Sequence, residues 1–309
     1  MIRNAVLLAT YNGEKYLPEL LNSLEAQTCR DFVCFIHDDG SIDDTRKILL
    51  DYVLKDPNRY VILDYPATGS AKGNFLSLLE KVEAENYLFS DQDDVWMPDK
   101  LETLQNAMGE KKDTPVLLYS DMKVVREDLS VINESFHEFI GRDPRRLDYR
   151  QILIDNPVAG CTAYFNKALR EKAIEYTYID EIEMHDSWIA ALCAIFGEIR
   201  YIETPLVMYR QHSDNVLGAG EQESGVDKIK RNLKDLFSGE FAEKKRRFHE
   251  RMRLMAHQLS QVEDLPDDVQ MTLREFIDLP RHAKSYRMAF YRRNGFKREH
   301  HDLWFRLTC

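Results

Sequence analysis

From residue 1 to about residue 90, short apolar runs alternate with apolar positions at helical spacing, and each run stops at a polar cluster. Ala5–Thr10 (AVLLAT) is such a run, ended by the turn signal Tyr11-Asn12-Gly13. Tyr16, Leu17, Leu20, Leu21 and Leu24 then recur on one helix face. Phe32–His37 predicts a second strand, closed by Asp38-Asp39-Gly40-Ser41. A helix from about Asp43, capped by Ser41 or Asp43, carries Ile48, Leu49, Tyr52 and Val53 on one side. Tyr60–Tyr65 predicts a third strand, Asn74–Ala84 a helix, and Tyr87–Ser90 a fourth strand. Strand-helix repetition of this kind predicts an α/β fold, a parallel sheet with helices on both faces.

Beyond Leu118 the rhythm changes. LLYSDMKVV predicts a strand through Asp121, and Glu134–Ile140 with the basic stretch to Arg150 a loop and short helix. Asn156–Lys167 predicts a turn and a strand. A helix from His185-Asp186 turns Ile189, Leu192, Cys193 and Phe196 inward. Tyr201–His212 adds strand segments, and SDNVLGAG reads as a loop. After Gly225 the pattern is helical and basic, as in Glu243–Arg253 (EKKRRFHERMR). The chain therefore divides at Glu221–Gly225 into a 1–225 unit and a 226–309 helical region.

Composition sharpens this division. Net charge is −11 overall, but residues 1–225 hold 23 Lys+Arg against 40 Asp+Glu, and residues 226–309 hold 19 against 13. An acidic body argues against nucleic acid as a partner. No apolar run approaches the roughly 20 residues of a bilayer span, and the N-terminal sequence reads as no signal peptide. Five cysteines without a CxxC pair read as reduced thiols of a cytoplasmic protein.

In a parallel sheet, ligands sit beyond the carboxyl ends of the strands. Thr10-Tyr11-Asn12, Asp38-Asp39 and Asp91–Asp94 all lie at predicted strand ends, so they are expected to converge on one crevice. No GxGxxG follows the first strand, which excludes the dinucleotide fingerprint. Three carboxylates within LFSDQDDVW (Leu88–Trp96) repel one another unless protonated or bound to a cation. Asp91 and Asp93 can hold Mg²⁺ or Mn²⁺ through hard oxygens, with positions left for phosphates; the alternative is a helix cap by Asp94 or Asp99. Asp38 or Asp39 can accept the imide N–H of a pyrimidine, with Tyr11 stacked on the base. Asp186 is either a general base or a carboxylate complementing a helix dipole. Arg210 and His212 of YRQH can meet phosphate oxygens, or Arg210 can pair with the acidic body.

The pieces ATYNGEKYL, DDGSIDDT, GNF, SDQDDVW, HDSW and YRQHSDNVLGA stand in this order between Arg3 and Ala219. In these the chain resembles the inverting family 2 glycosyltransferases of GT-A fold, and most of all bacterial rhamnosyltransferases of cell-wall and capsular polysaccharide synthesis. The resemblance implies that Thr10, Asn12, Glu14 and Asp39 contact the donor nucleoside, with Tyr11, Asn74 and Gln92 completing the nucleotide-sugar site. It implies that Asp91 and Asp93 form the metal-and-sugar motif, Asp93 being the direct ligand, with Arg210 and His212 near the diphosphate. Asp186 would be the base, with Asp94, Trp96 and His185 on the acceptor side; many relatives have an acidic residue where this chain has His185. The implied donor is dTDP-L-rhamnose, with UDP-sugars as the alternative, and the implied acceptor a saccharide or lipid-linked saccharide.

Two other classes use similar residues. An aspartate-nucleophile phosphatase also carries DxD at a strand end but has no use for HDSW or YRQH, and a non-catalytic sugar-nucleotide binding module would not need Asp186. The basic tail can pack on the body, form a homodimer, or lie peripherally on an anionic membrane through Phe241, Phe248, Tyr286, Tyr291, Phe296, Trp304 and Phe305.

Overall fold

A computed structural model describes residues 2–109, 113–175, 182–212 and 240–298. The N-terminal strands β1 (Asn4–Thr10), β2 (Val33–Asp38), β3 (Tyr60–Ile62) and β4 (Asn86–Ser90) alternate with helices α1 (Leu17–Glu25), α2 (Thr45–Lys55) and α3 (Ala71–Lys81). Next come β5 (Val95–Trp96), α4 (Lys100–Met108), β6 (Val116–Val125), β7 (Val131–Asn133), α5 (Phe136–Ile140) and α6 (Tyr149–Asp155). A 3₁₀ turn at Gly160–Thr162 leads into β8 (Ala163–Asn166), α7 (Lys167–Ile174), α8 (His185–Phe196) and β9 (Glu198–Arg210).

The strands form one sheet in the order β3-β2-β1-β4-β8-β6-β9-β5, with β7 on β6. β1 pairs in parallel with β2 and β4, and β2 with β3, as the strand-helix alternation predicts. β8 enters antiparallel between β4 and β6, while β9 runs parallel to β6. The sheet is therefore parallel on its N-terminal side and mixed beyond β4.

Residue alternation in β1 shows how the core is laid. Val6 and Leu8 point to the side where Leu17, Leu20, Leu21 and Leu24 of α1, Leu49 of α2 and Leu101 and Leu104 of α4 are buried. Ala5, Leu7 and Ala9 point to the other side, against Phe75, Leu78 and Leu79 of α3 and Trp188, Ile189 and Leu192 of α8. A strand buried on both faces has no polar position to spare, which is why β1 reads as a continuous apolar run. Its polar residues, Asn4 and Thr10, stand at its two ends.

The tail shares this second core. Helices α9 (Glu240–Leu259), α10 (Asp267–Asp278) and α11 (Lys284–Arg293) contribute Met252, Met255, Leu259, Leu273, Phe276 and Phe290 to the cluster that holds α6 and α8. Gln151 of α6 also donates to the Gly295 carbonyl (2.8 Å) and Arg146 to that of Lys297 (2.6 Å). Tyr291 (3% exposed) and Phe296 (0%) are core residues, so neither is offered to a membrane or a second copy, contrary to that expectation. Phe248 is half-buried and Tyr286 exposed. The Phe241 side chain, Trp304, Phe305, the SDNVLGA loop and the expected 221–225 boundary lie outside the described residues. Cys34, Cys161 and Cys193 are buried free thiols and Cys29 is a half-buried one, while Cys309 is not described. Among the described residues no helix is long and apolar enough to cross a membrane.

Candidate active site

The loops after β1 and β2 are joined by hydrogen bonds that consume much of their polar chemistry. Thr10 Oγ1 donates to Asp38 Oδ1 (3.0 Å), and Ser41 donates to the same carboxylate through its hydroxyl (2.5 Å) and amide (3.1 Å). Asn12, at φ +47°, donates its amide to Ser41 Oγ (2.8 Å) and accepts from the Ile42 amide (2.9 Å). Glu14 accepts from the Asp44 amide (2.8 Å), and Asp43 accepts from the Glu14 amide (3.1 Å). The predicted nucleoside contacts Thr10, Asn12 and Glu14 thus shape the rim of the crevice. Asp39 differs from Asp38. Its Oδ1 accepts from the Thr68 amide (2.5 Å) and hydroxyl (3.0 Å), and Oδ2 takes no hydrogen bond among the described residues. Tyr11 is 57% exposed, so its ring face is open.

Asn74 lies beneath this rim. It is buried, and its carboxamide bonds the carbonyl of His37 (3.1 Å) and faces that ring's Nδ1 (3.0 Å). The other ring nitrogen faces the Tyr65 carbonyl (3.0 Å), and the ring stacks on Tyr65 at 3.6 Å. Asn74 therefore fixes the end of β2, with both polar atoms of its carboxamide turned to His37.

The carboxylate loop follows β4. Gln92 pairs with the backbone of Tyr11 in both directions, donating to its carbonyl (2.8 Å) and accepting from its amide (2.9 Å). Gly13 leaves room for this, since a Cβ there would come within 2.2 Å of Gln92 Oε1. Asp93 faces the end of β9, with Oδ2 2.8 Å from His212 Nε2. Asp94 is 1% exposed; Oδ1 accepts from the Arg210 amide (3.3 Å), and the Cys161 thiol stands beside the carboxyl. Helix α4 starts at Lys100 with Asp99 at its N-cap and no side-chain cap, so the cluster does not cap a helix.

Electrostatics in the loop are unfavourable without a cation. Burial, then the charges of Asp93 and Asp186, raise the Asp91 carboxyl to about 7. Burial followed by Asp93 and Asp91 raises Asp94 well above the carboxylate range. Ligand atoms of Asp91, Asp94 and Cys161 lie within 4.8 Å of one another. That trio is a poor metal site, because burial holds the Cys161 thiol protonated; burial also lowers the neighbouring Lys100 to about 7. Asp93 and His212 present a carboxylate oxygen and an imidazole nitrogen 2.8 Å apart at the crevice, donors that suit a divalent cation, although Asp91 is not grouped with them within 4.8 Å.

Arg210 departs from its expected role. It is 1% exposed; its Nε donates to the Asp93 carbonyl (2.9 Å), and its terminal nitrogens bond the Glu127 carbonyl and the Glu19 carboxylate. Its guanidinium also lies over the Tyr16 ring at 4.6 Å. Arg210 thus braces the floor of the site by pairing with the acidic body, and does not reach out to a diphosphate.

Asp186 stands in the first turn of α8, half-buried, with Oδ1 accepting from the Ser187 amide (2.5 Å). His185 points the opposite way, between Phe75 (ring centroids 4.3 Å) and Phe89 (4.7 Å), and burial lowers its pKa. Neither ring nitrogen has a partner, and Nε2 sits where a Cβ on Gly160 would be 2.6 Å away. Trp96 is 2% exposed, and its amide donates to Ser23 Oγ (3.0 Å). His185, Asp94 and Trp96, expected on the acceptor side, are thus all beneath the surface. The sequence reading missed Glu183, half-buried one turn before Asp186 and paired with Arg251 of α9, with its pKa raised by burial. It also missed Lys100, which a position at the start of an amphipathic helix does not mark.

The family model described as "Glycosyl transferase family 2" matches residues 5–172. Over 228 residues the chain is 29% identical to the dTDP-rhamnosyl transferase RfbG of Shigella flexneri, covering 69% of this chain and 74% of that protein. It is 26% identical over 220 residues to the uncharacterised glycosyltransferase alr2836 of Nostoc sp., covering 68% and 65%. Among solved structures, S. aureus TarS 1–349 in complex with UDP-GlcNAc superposes with TM-score 0.55 at 21% identity, over 95% of this chain and 75% of that one. The mannosyltransferase PcManGT from Pyrobaculum calidifontis, in complex with GDP-Man and Mn²⁺, gives 0.53 at 17% identity, over 90% and 69%. At these identities the structural likeness is one of fold.

Proposed function

Because the chain belongs to glycosyltransferase family 2 and has the GT-A-like fold, we propose that it moves L-rhamnose from dTDP-L-rhamnose to a saccharide or lipid-linked saccharide acceptor. The setting would be bacterial surface polysaccharide synthesis. The observation that carries the reading is the convergence of the Asp91–Asp94 loop with the ends of β1 and β9, through Gln92 on the Tyr11 backbone and Asp93 on His212. The donor assignment is supported by the dTDP-rhamnosyl transferase of Shigella.

In this reading Asp39 receives the imide N–H of the pyrimidine through its unclaimed oxygen, and Tyr11 stacks on the base. Gln92 locks the Tyr11 backbone to the carboxylate loop, so base and diphosphate are held by one rigid unit. Asp93 and Asp91, with His212, would hold Mg²⁺ or Mn²⁺. When bound, the ion offsets charge developing on the departing diphosphate. Asp186 takes the proton of the acceptor hydroxyl as its oxygen bonds to the anomeric carbon and the bond to the diphosphate breaks. A single displacement inverts configuration and needs no enzyme nucleophile.

A donor screen reading released nucleotide diphosphate tests this, with dTDP-rhamnose, UDP-sugars and GDP-sugars in parallel. Release of dTDP is expected. Turnover of UDP-sugars alone would leave the family reading and replace the sugar, and preference for a purine donor would remove the assigned base pocket.

A further inference from the structure

The three tail helices enclose a recess of about 260 Å³, open mouth included, that the proposed transfer does not use. His249 and Arg253 line it from one face of α9, four positions apart, and Arg287 lines it from α11. Its apolar wall is Met252, Phe276, Leu279 and Tyr291, each 3% exposed or less. Both arginines are half-buried, so their charges stand nearer the solvent than that wall. No carboxylate lines the recess among the described residues. Asp278 and Glu275 of α10 are turned elsewhere, the first to Arg281 and His282 and the second to Arg293 and Tyr286. Among the described residues the side chains of Arg253 and Arg287 have no hydrogen-bond or ion-pair partner, and Arg287 Nε is shut off from solvent without an acceptor. A charged donor withdrawn from water without a partner is costly, and two guanidiniums on one recess repel each other. An anion relieves both.

We propose that this recess binds one phosphoryl group, as free phosphate or as a lipid headgroup, held by the guanidiniums of Arg253 and Arg287. A guanidinium is a planar fork of N–H donors that meets phosphate oxygens two at a time. The paired positive charges are balanced by a dianionic phosphate monoester, whereas a carboxylate or a phosphodiester balances only one of them. A recess below the roughly 300–1,000 Å³ of sites for drug-sized ligands takes such a group and not a whole nucleotide. An occupant would tie α9 to α11, and α9 also carries Arg251, which pairs with Glu183 ahead of α8. The site is independent of the donor reading, since no residue of the crevice lines it.

The test uses the full-length protein without metal, as wild type, Arg253→Gln, Arg287→Gln and the double variant. Calorimetric titration with inorganic phosphate reads the free ion. Flotation with phosphatidylcholine vesicles containing phosphatidic acid, or phosphatidylglycerol at matched surface charge, reads the headgroup at salt where the Debye length is about 8 Å. Wild type should bind phosphate, each single variant about tenfold or more weakly, as the loss of a charge-assisted hydrogen bond implies, and the double variant not at all. Affinity for dTDP, measured separately with Mn²⁺, should stay within about threefold in every variant, which separates this site from any phosphate held at the crevice. Retention on phosphatidic acid above phosphatidylglycerol, lost in the double variant, would support the site with a headgroup as its source. Phosphate binding without that preference would support it with the free ion. Wild type that neither binds phosphate nor prefers phosphatidic acid would overturn the proposal, and this arm needs no variant to fold. Binding or preference that survives in the double variant would overturn it too. If the double variant does not fold, the single variants carry the comparison, and wild-type affinity in both would have the same consequence.

Discussion

Nε2 of His212 lies 2.8 Å from Oδ2 of Asp93, and this contact ties the end of β9 to the loop that follows β4. Two donors this close, one imidazole and one carboxylate, can share a cation. His212→Ala should therefore weaken dTDP-sugar binding about tenfold or more in the presence of Mn²⁺, and much less in its absence. Calorimetric titration of donor with and without the metal decides the matter. An equal loss under both conditions would make the pair a structural ion pair.

Asp91 predicts a pH dependence of stability. Its carboxyl is raised from 3.8 to about 7, first by burial and then by Asp93 and Asp186. The folded state therefore binds this proton more tightly than the unfolded chain. The resulting stabilisation is complete below about pH 4 and lost as pH rises through about 7. Asp91→Asn mimics the protonated form, so its melting temperature should match wild type near pH 4 and exceed it increasingly towards pH 8 without metal. A difference that stays constant with pH would show that the carboxyl is not perturbed.

The fold was legible where burial leaves a pattern. β1, β2 and β4 are covered on both faces, so they appear as apolar runs with polar ends, and those ends gave the crevice its address. β5 and β7, at two and three residues, are too short to show a period. Helix α3 starts three residues earlier than read, because Ser70 caps it by accepting from the Gly73 amide (3.2 Å), before its apolar face begins. The site was legible as a set of carboxylates, but not in its pairings. Nothing in the chain announces that Arg210 meets Glu19, 191 positions away, or that a helix-initial lysine lies in the core.

Gly160 links Asp186, the proposed base, to the carboxylate loop. It precedes Cys161, whose carbonyl holds Lys100, and it touches His185, the neighbour of Asp186. Gly160→Ala would place a Cβ 2.6 Å from His185 Nε2. Overpacking of this kind costs roughly 1–3 kcal/mol, and the start of α8 must shift to relieve it. Transfer rate should fall while donor affinity stays within about threefold. Wild-type turnover and melting temperature would mean that the ring swings aside at no cost.

The tail prediction changes once Phe296 is seen in the core. Phe296→Ala should destabilise the whole protein by about 3–5 kcal/mol, read by chemical denaturation, because it opens a cavity in the cluster shared with α6 and α8. Its retention on anionic vesicles at low salt should match wild type. A loss of vesicle binding with unchanged stability would return this aromatic residue to a surface role.

The assignment of Asp186 separates chemistry from binding. Its side chain is half-buried at the start of α8, and the metal-side donors are on other elements. Asp186→Asn keeps the size and removes the basicity, so donor affinity with Mn²⁺ should be nearly unchanged. Transfer at saturating donor should drop by about 10²–10⁴-fold, the contribution of a general base. Asp93→Asn should do the reverse in kind, losing metal-dependent donor affinity. Suppose instead that Asp186→Asn transfers at the wild-type rate. His185 cannot replace it, since the ring is shut between Phe75, Phe89 and Gly160, and Asp94 is buried with its carboxyl raised far above the usual range. The next candidate is then Glu183, half-buried, three residues from Asp186 and held by Arg251. Glu183→Gln would be the variant that loses transfer while keeping donor affinity.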